Sequence, residues 1–210
     1  MAHLIQGCDR ILELMNTLLD NQALSQSELV LNRQPIDLSA IVATVLSDFQ
    51  PISLKKAVQI DNRIASDLPI ISADADQIWR VLCNLISNAI HHNPPGLNLT
   101  LDAIVVSRKR QTGCRLLAGE KHHHQPSHAR ETQGSQTMLK VMVQDNGVGI
   151  SPTQQEHLFE PYTRNQTAQY QPGLGLGLYI CRQIILAHGG EIGLDHPPRG
   201  TILWFTLPQA

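Results

Sequence analysis

The sequence has few charged residues and no excess of either sign. Lys and Arg number 16 and Asp and Glu number 18, so the formal net charge is −2, and charged residues make up 16% of the 210 positions. Proteins that bind nucleic acids normally carry a basic patch or stripe, and this balance gives no sign of one. The composition therefore argues against nucleic acid as a partner.

Long apolar runs and paired cysteines are also missing. No apolar stretch approaches the roughly 20 residues that a membrane-spanning helix needs, and the N-terminus lacks the pattern of a secretory signal. The four cysteines (Cys8, Cys83, Cys114 and Cys181) are scattered without a Cys-x-x-Cys pair, and all but Cys114 fall in helical patterns. That favours buried thiols over disulfides or metal ligands. We expect a cytoplasmic protein with no membrane span.

The chain is organised around the stretch DNGVGI, which begins at Asp145. The alternating run at 138–144 before it predicts a strand with Val141 and Val143 on one face. Gly147 and Gly149 permit positive φ and let a flat ligand approach the backbone. An ionised Asp145 only accepts hydrogen bonds, which suits an amine such as that of adenine. Asp-Asn-Gly is also an ordinary turn sequence, so this stretch does not decide the function alone.

Two further stretches flank this loop in sequence. Asn84, Asn88 and His91 are spaced i, i+4 and i+7 in a helical segment and share one face. Downstream, Gly175 and Gly177 belong to a GLGLGL run that opens an apolar helix. Backbone N–H groups at such a helix start form a binding site for phosphates.

In this order and spacing, the three stretches resemble the N, G1 and G2 boxes of the ATP-binding domain of sensor histidine kinases. That domain shares a superfamily with gyrase B, Hsp90 and the mismatch-repair ATPases. The LFEPY stretch at 158–162 resembles its F box, and HGG at 188–190 followed by Gly200-Thr201 resembles its ending. The resemblance covers residues 1 to 208, with several motifs in register.

The resemblance implies a two-layer α/β sandwich, with a mixed sheet of about five strands under three helices and one long helix before it. It divides the chain into a helix and linker at 1–28 and an ATP-binding domain at 29–210. The cofactors it implies are ATP and Mg²⁺, with Asn88 as the metal ligand and Asn84 beside the phosphates. His91 stands where the family usually has Lys or Arg, so its charge depends on pH. The other nucleotide-binding residues it implies are Asp145, Gly147, Gly149, Arg164, Gly173, Gly175, Leu176, Gly177 and Thr201.

Periodicity and turn residues set the expected elements of this domain. Asp37 should cap a helix from 38 to 55, which Pro51 should kink or split, and Asp74 or Asp76 should start the next. The expected strands are 29–33, 58–64, 70–71, 97–106, 138–144, 191–195 and 201–207. Residues 107–137, with three consecutive histidines at 122–124, predict a disordered insertion rather than a metal site. Residues 154–173 suit a mobile lid, and the last helix should end near 188.

The N-terminal segment has a heptad seam. Leu4, Cys8, Ile11, Met15 and Leu18 alternate at spacings of four and three, a pattern that favours half of a helical hairpin or dimer over a helix packed on its own domain. It resembles the second helix of the dimerisation and phosphotransfer domain. The partners implied are a homodimer through 4–19, a histidine-containing acceptor domain or partner kinase chain, and a response regulator.

The family's phosphoacceptor is a His followed directly by Glu or Asp, and none of the ten histidines here has an acidic residue next. Three arrangements fit: a fragment of a longer kinase, a kinase whose acceptor lies in another chain, or a relic. An ATPase of the same superfamily is an alternative, but it would have a Glu as general base where Asn84 stands. A non-catalytic nucleotide-binding or dimerisation module is a second alternative.

Overall fold

The computed structural model describes residues 29–109, 135–163 and 175–209. The elements, in chain order, are β1 (Gln34–Ile36), α1 (Leu38–Lys55), β2 (Gln59–Asn62), β3 (Ile71–Ala73), α2 (Ala75–His92), β4 (Asn98–Lys109), β5 (Ser135–Asp145), α3 (Pro152–Gln155), α4 (Gly177–Ala187), β6 (Ile192–Asp195) and β7 (Thr201–Pro208). The heptad seam, the three consecutive histidines, Arg164 and Gly173 lie outside the described residues.

The main sheet has the order β2-β4-β5-β7-β6. β2 runs parallel to β4, and the other neighbours are antiparallel, so the sheet is mixed as expected. A smaller antiparallel pair joins β1 to β3. The three long helices pack their apolar faces on one side of the main sheet, and this layer pair forms the core. The two-layer α/β sandwich is therefore confirmed.

The helix that carries the candidate polar residues has its apolar face fully covered. Seven side chains of α2 are buried: Ile78, Val81, Leu82, Leu85, Ile86, Ala89 and Ile90. They recur at the three- and four-residue spacing that places them on one stripe. The remaining face of α2 holds Asn84 and Asn88, both half-buried, beside the core rather than inside it.

Both predicted helix caps are present. The Asp37 carboxylate accepts the Ser39 N–H at 2.9 Å, and the Asp74 carboxylate accepts the Gln77 N–H at 3.2 Å. Asp74, not Asp76, is therefore the residue that starts α2. The predicted split at Pro51 is wrong, because α1 continues through it to Lys55. Proline removes one backbone donor, and here one lost bond near the end of an 18-residue helix does not terminate it.

The strand predicted at 29–33 is wrong, since β1 lies further along at Gln34–Ile36. The backbone N–H of Asn32 instead donates to the Asp74 carboxylate at 2.9 Å, which holds this segment against the start of α2. The strand was predicted too early because residues 29–31 are apolar. That apolar run does not pair with a neighbouring strand, whereas Ile36 pairs with Ile71.

The predicted insertion at 107–137 begins too early and ends too late. β4 and β5 remain paired out to Lys109 and Ser135, and this ladder includes Ser107 opposite Thr137. The Arg108 guanidinium also forms an ion pair with Glu191 at 2.5 Å. The polar composition of these residues led to strand ends that were too short. Backbone hydrogen bonds hold the two strands together, and they do not require apolar side chains. Residues 110–134 lie outside the described residues.

Candidate functional site

The carboxylate of Asp145 lies at the end of β5, between two neighbouring strands. Asp145 pairs with Leu99 of β4 and with Thr201 of β7, so its position is fixed from both sides. It is 7% exposed. Burial raises the pKa of Asp145, and hydrogen bonds from the Gly147 N–H, the Asn93 amide and Thr201 oppose that rise. The site therefore holds a carboxylate that has lost most of its water and retains fixed donors on one side.

The loop that follows is held by the end of α2. Asn93, the residue after α2, donates its amide to Ala89 O at 2.9 Å and to an Asp145 carboxylate oxygen at 3.4 Å. Its amide oxygen accepts the Val148 N–H at 2.9 Å. The same Asp145 oxygen accepts the Gly147 N–H at 2.8 Å. One amide thus joins the helix end to both sides of the loop.

The two glycines of this loop serve different purposes. Gly149 has φ +75°, as the sequence suggested, but the φ of Gly147 is not positive. A methyl group at Gly147 would overlap the side-chain amide of Asn93. The need for glycine at 147 therefore comes from a neighbouring side chain, and the positive φ that glycine permits is not used at this position.

Asn84 links α2 to the start of α4. Its amide nitrogen donates to Arg80 O at 3.1 Å. Its amide oxygen lies so close to Gly177 that a methyl group there would stand 2.7 Å from it. Gly177 is the first residue of α4, and Leu176 before it is fully buried. The structure thus brings Asn84, Leu176 and Gly177 together at the start of this helix.

Thr163 and Gly175, the described residues on either side of 164–174, lie close together. Gly175 has φ +68°, and a methyl group there would lie 2.5 Å from Thr163 O. Tyr162, just before it, has φ +62°, which is unusual for a residue with a bulky side chain. The expected lid at 154–173 is described only as far as residue 163, and the end of this described part lies against Gly175, beside the start of α4.

Asn88 and His91 lie on the same face of α2, closer to its C-terminal end. Asn88 is half-buried, and no hydrogen bond of its side chain is found among the described residues. The His91 ring is exposed, and its Nδ1 lies 3.0 Å from Ser87 Oγ and 2.9 Å from Ser87 O.

Sequence reasoning missed Asn93, which contacts Asp145 and its loop. Its backbone is extended, with φ −117° and ψ 155°, so helical periodicity does not apply to it. The available signal was an amide residue at the end of a helix, directly before Pro94-Pro95-Gly96. Such a residue caps or turns the chain by default, and only the fold reveals that Asp145 lies within its reach.

The described cysteines agree with the expectation of unpaired thiols. Cys181 is buried and Cys83 is half-buried, and both are free. Burial raises the pKa of each thiol to about 12. Within the described ranges, no helix is long and apolar enough to cross a membrane.

Comparison with known proteins agrees with this geometry. The chain is 32% identical over 183 residues to the adaptive-response sensory kinase SasA of Synechocystis sp., covering 87% of this chain and 40% of that protein. The full-length ShkA structure in complex with AMPPNP superposes with a TM-score of 0.74 at 23% identity, covering 100% of this chain and 38% of that one. The catalytic domain of histidine kinase ThkA superposes with a TM-score of 0.62 at 22% identity, over 85% of this chain and 96% of that domain.

These likenesses confirm the fold, and the chain spans less than half the length of the SasA relative. The family model for histidine kinase-, DNA gyrase B- and HSP90-like ATPases matches residues 73–210. That match covers most of the chain, including α2, the Asp145 loop and the start of α4. The chain therefore belongs to the histidine kinase-, DNA gyrase B- and HSP90-like ATPase family.

Proposed function

We propose that the chain is the ATP-binding catalytic domain of a two-component sensor histidine kinase. The observation that carries this proposal is the arrangement of α2, which meets the buried Asp145 loop through Asn93, just after its last residue, and the start of α4 through Asn84 on its polar face. A nucleotide laid along this face would place its base at Asp145 and its phosphates near Gly177. The kinase names of its relatives support the same conclusion.

The adenine end of the site is built on Asp145. A carboxylate accepts hydrogen bonds and donates none, so it matches the exocyclic amine of adenine and opposes the carbonyl that guanine has there. Because the carboxylate is buried, an unmatched partner is not rescued by water. Thr201, buried in the next strand, hydrogen-bonds the same carboxylate and limits its orientation.

The phosphate end is built on the start of α4. The first turn of this 11-residue helix contains no acidic residue. Its free backbone N–H groups and the positive end of the helix dipole favour negatively charged phosphates. We assign Gly175, Leu176 and Gly177 to this role, with Arg164 and Gly173 as further candidates from the family resemblance.

Asn88 suits a magnesium ligand. Mg²⁺ prefers oxygen ligands and usually takes only one or two from the protein, with phosphates and water providing the rest. The Asn88 amide oxygen lies on the correct face of α2 and has no competing hydrogen bond among the described residues. When bound, Mg²⁺ would neutralise charge on the phosphates during transfer.

Asn84 favours transfer to a protein acceptor over hydrolysis. An amide cannot take a proton from water, so this position supplies no general base. With Asn84 held between Arg80 O and Gly177, the site positions phosphates without activating water. His91, where the family usually has Lys or Arg, would contribute charge only when protonated.

The acceptor and signalling partners follow from the relatives. ThkA has been solved in complex with the response regulator protein TrrA, and that complex superposes on this chain with a TM-score of 0.66 at 20% identity. We propose a histidine-containing domain as acceptor, a response regulator as the next partner, and a homodimer through residues 4–19. Because ATP is the donor, the domain should work in the cytoplasm.

The test is incubation with γ-labelled ATP and Mg²⁺, first of the chain alone and then with the acceptor domain of a related histidine kinase. We expect acid-labile label on the added acceptor and little release of free phosphate. Rapid phosphate release without an acceptor would instead identify an ATPase. Binding of ATP with no transfer to any acceptor would favour a non-catalytic module.

A further inference from the structure

We propose that Asn93 is the positioning residue that sets nucleotide-base selectivity at this site, by holding Asp145 and the glycine loop against the end of α2. This inference rests on the proposed function, because it names the residue that orients the base-reading carboxylate. It assigns Asn93 no direct contact with ATP.

Asn93 joins the end of α2 to both sides of the loop through three hydrogen bonds. Its amide nitrogen donates to Ala89 O on the helix and to Asp145, and its oxygen accepts the N–H of Val148. The helix bond at 2.9 Å fixes the rotation of the amide group. With that rotation fixed, the amide presents its donor to Asp145 and its acceptor to Val148, and the reverse orientation would oppose both.

Gly147 packs directly against the side chain of Asn93. Its φ is not positive, so its backbone alone does not demand glycine. A side chain there would overlap the Oδ1, Cγ and Nδ2 atoms of Asn93, all within 2.6 Å. The Asn93 side chain occupies the space that a Cβ at Gly147 would need. The loop can therefore pack this closely against Asn93 only because residue 147 is glycine.

The Asp145 carboxylate depends on Asn93 for one of its hydrogen-bond donors. One Asp145 oxygen accepts both the Gly147 N–H at 2.8 Å and the Asn93 amide at 3.4 Å. Both bonds favour the ionised form and lower its pKa against the effect of burial. Without Asn93, the carboxylate would lose one of the groups that keep it charged and oriented towards an incoming amine.

The test compares the affinities of ATP and purine riboside 5′-triphosphate, which lacks the 6-amino group, for the wild type and Asn93→Ala. The wild type should prefer ATP by roughly 5- to 150-fold, since only ATP pairs with the buried carboxylate. Asn93→Ala should reduce this ratio by about five-fold or more. A purely structural role would lower the melting temperature and leave the ratio unchanged, which would overturn the inference.

Asn98→Ala is the matched control. Asn98 is exposed and meets the same loop through its backbone, which accepts the Asn146 N–H at 3.2 Å and donates to the Asn146 side chain at 2.9 Å. Removal of its side chain should leave the ratio unchanged. If Asn93→Ala does not fold, Asn93→Leu has nearly the same shape without hydrogen-bonding groups and should show the same loss of selectivity.

A double-mutant cycle tests the Gly147 contact independently. Gly147→Ala should lower ATP affinity by about ten-fold or more in the wild type, where the new methyl group overlaps Asn93. In the Asn93→Ala background the same change should cost less than about three-fold, because the space is then empty. Equal losses in both backgrounds would contradict the inference.

These outcomes separate the inference from the function on which it rests. A wild type that binds neither nucleotide overturns the proposed function and the inference together. A wild type that selects ATP, with a ratio unchanged in Asn93→Ala, leaves the function standing and overturns only the role of Asn93.

Discussion

The Nε2 atom of His188 accepts a hydrogen bond from the backbone N–H of Asp74 at 3.0 Å. The Nδ1 atom of the same ring therefore carries the proton and donates to Ile184 O at 2.8 Å. His188 ends α4, and Asp74 caps α2, so this fully buried ring joins the two helices that line the candidate site. A protonated ring would turn a second N–H towards the Asp74 donor and break this link.

This link predicts a loss of stability in mild acid. Burial lowers the pKa of His188 below the ordinary value of 6.5. Well above pH 6.5 the ring is neutral in both the folded and the unfolded chain, and its contribution is fully present. Below that pH the unfolded chain binds a proton that the folded chain resists, so the free energy of unfolding should fall until the lowered pKa is reached.

The measurement is denaturant unfolding between pH 7.5 and pH 5.5 for the wild type and for His188→Gln, which cannot titrate. The variant should be less stable at pH 7.5, by about 1–3 kcal/mol if the Asp74 N–H is left unpaired. Its stability should then decline less steeply with acid. Parallel curves for the two proteins would show that another group causes the decline.

Gly200 predicts a second effect, at the strand beside Asp145. It has φ +84°, and a methyl group there would overlap the carbonyl oxygen of Asp145. Gly96 is a matched control, because its φ is +87° and a methyl group there would meet nothing within 4 Å. Gly96→Ala should cost about 1–2 kcal/mol of stability from backbone strain alone.

Gly200→Ala should cost more than this control and should also weaken ATP binding, because the overlap displaces the backbone of Asp145. Thermal unfolding and nucleotide titration of both variants provide the comparison. If Gly200→Ala and Gly96→Ala lose equal stability and bind ATP equally, the close packing of 200 against 145 does not matter for the site.

A third prediction concerns the connection between β4 and β5. Replacement of 110–134 by a short glycine-containing turn should leave the melting temperature nearly unchanged, because longer connections add only a slowly growing entropy cost. Replacement of 107–137 should lower it by several degrees, because that change also removes the ladder from Ser107 to Lys109 and the Arg108–Glu191 ion pair. If replacement of 110–134 alone lowers the melting temperature by about ten degrees, the connection packs on the core.

The sequence predicts the helices of this fold better than its strand ends. The apolar stripe of α2 is long and strongly periodic, and both of its predicted features, the buried face and a capping aspartate, are present. The strand predicted at 29–33 and the early end of β4 were wrong for a common reason. Strand limits depend on which backbone groups find partners in the neighbouring strand, and local composition does not encode that.

The candidate site divides in the same way. Asp145 and Asn84 are recognisable because each belongs to a local motif with a chemical rationale. Asn93 is not, since its importance arises from a contact 52 residues away in sequence. Gly147 was singled out for the positive φ that glycine permits, whereas the structure shows a close contact with Asn93, which becomes known only when the fold brings α2 and β5 together.

The most direct test of the account is calorimetric titration of ATP with Mg²⁺ into the wild type and Asp145→Asn. The substitution replaces an acceptor oxygen with a donor that would face the adenine amine. An unmatched buried pair costs about 1–3 kcal/mol, so affinity should fall roughly 5- to 150-fold while the protein remains folded. Equal ATP affinity in the two proteins would contradict the assignment of the adenine site to Asp145.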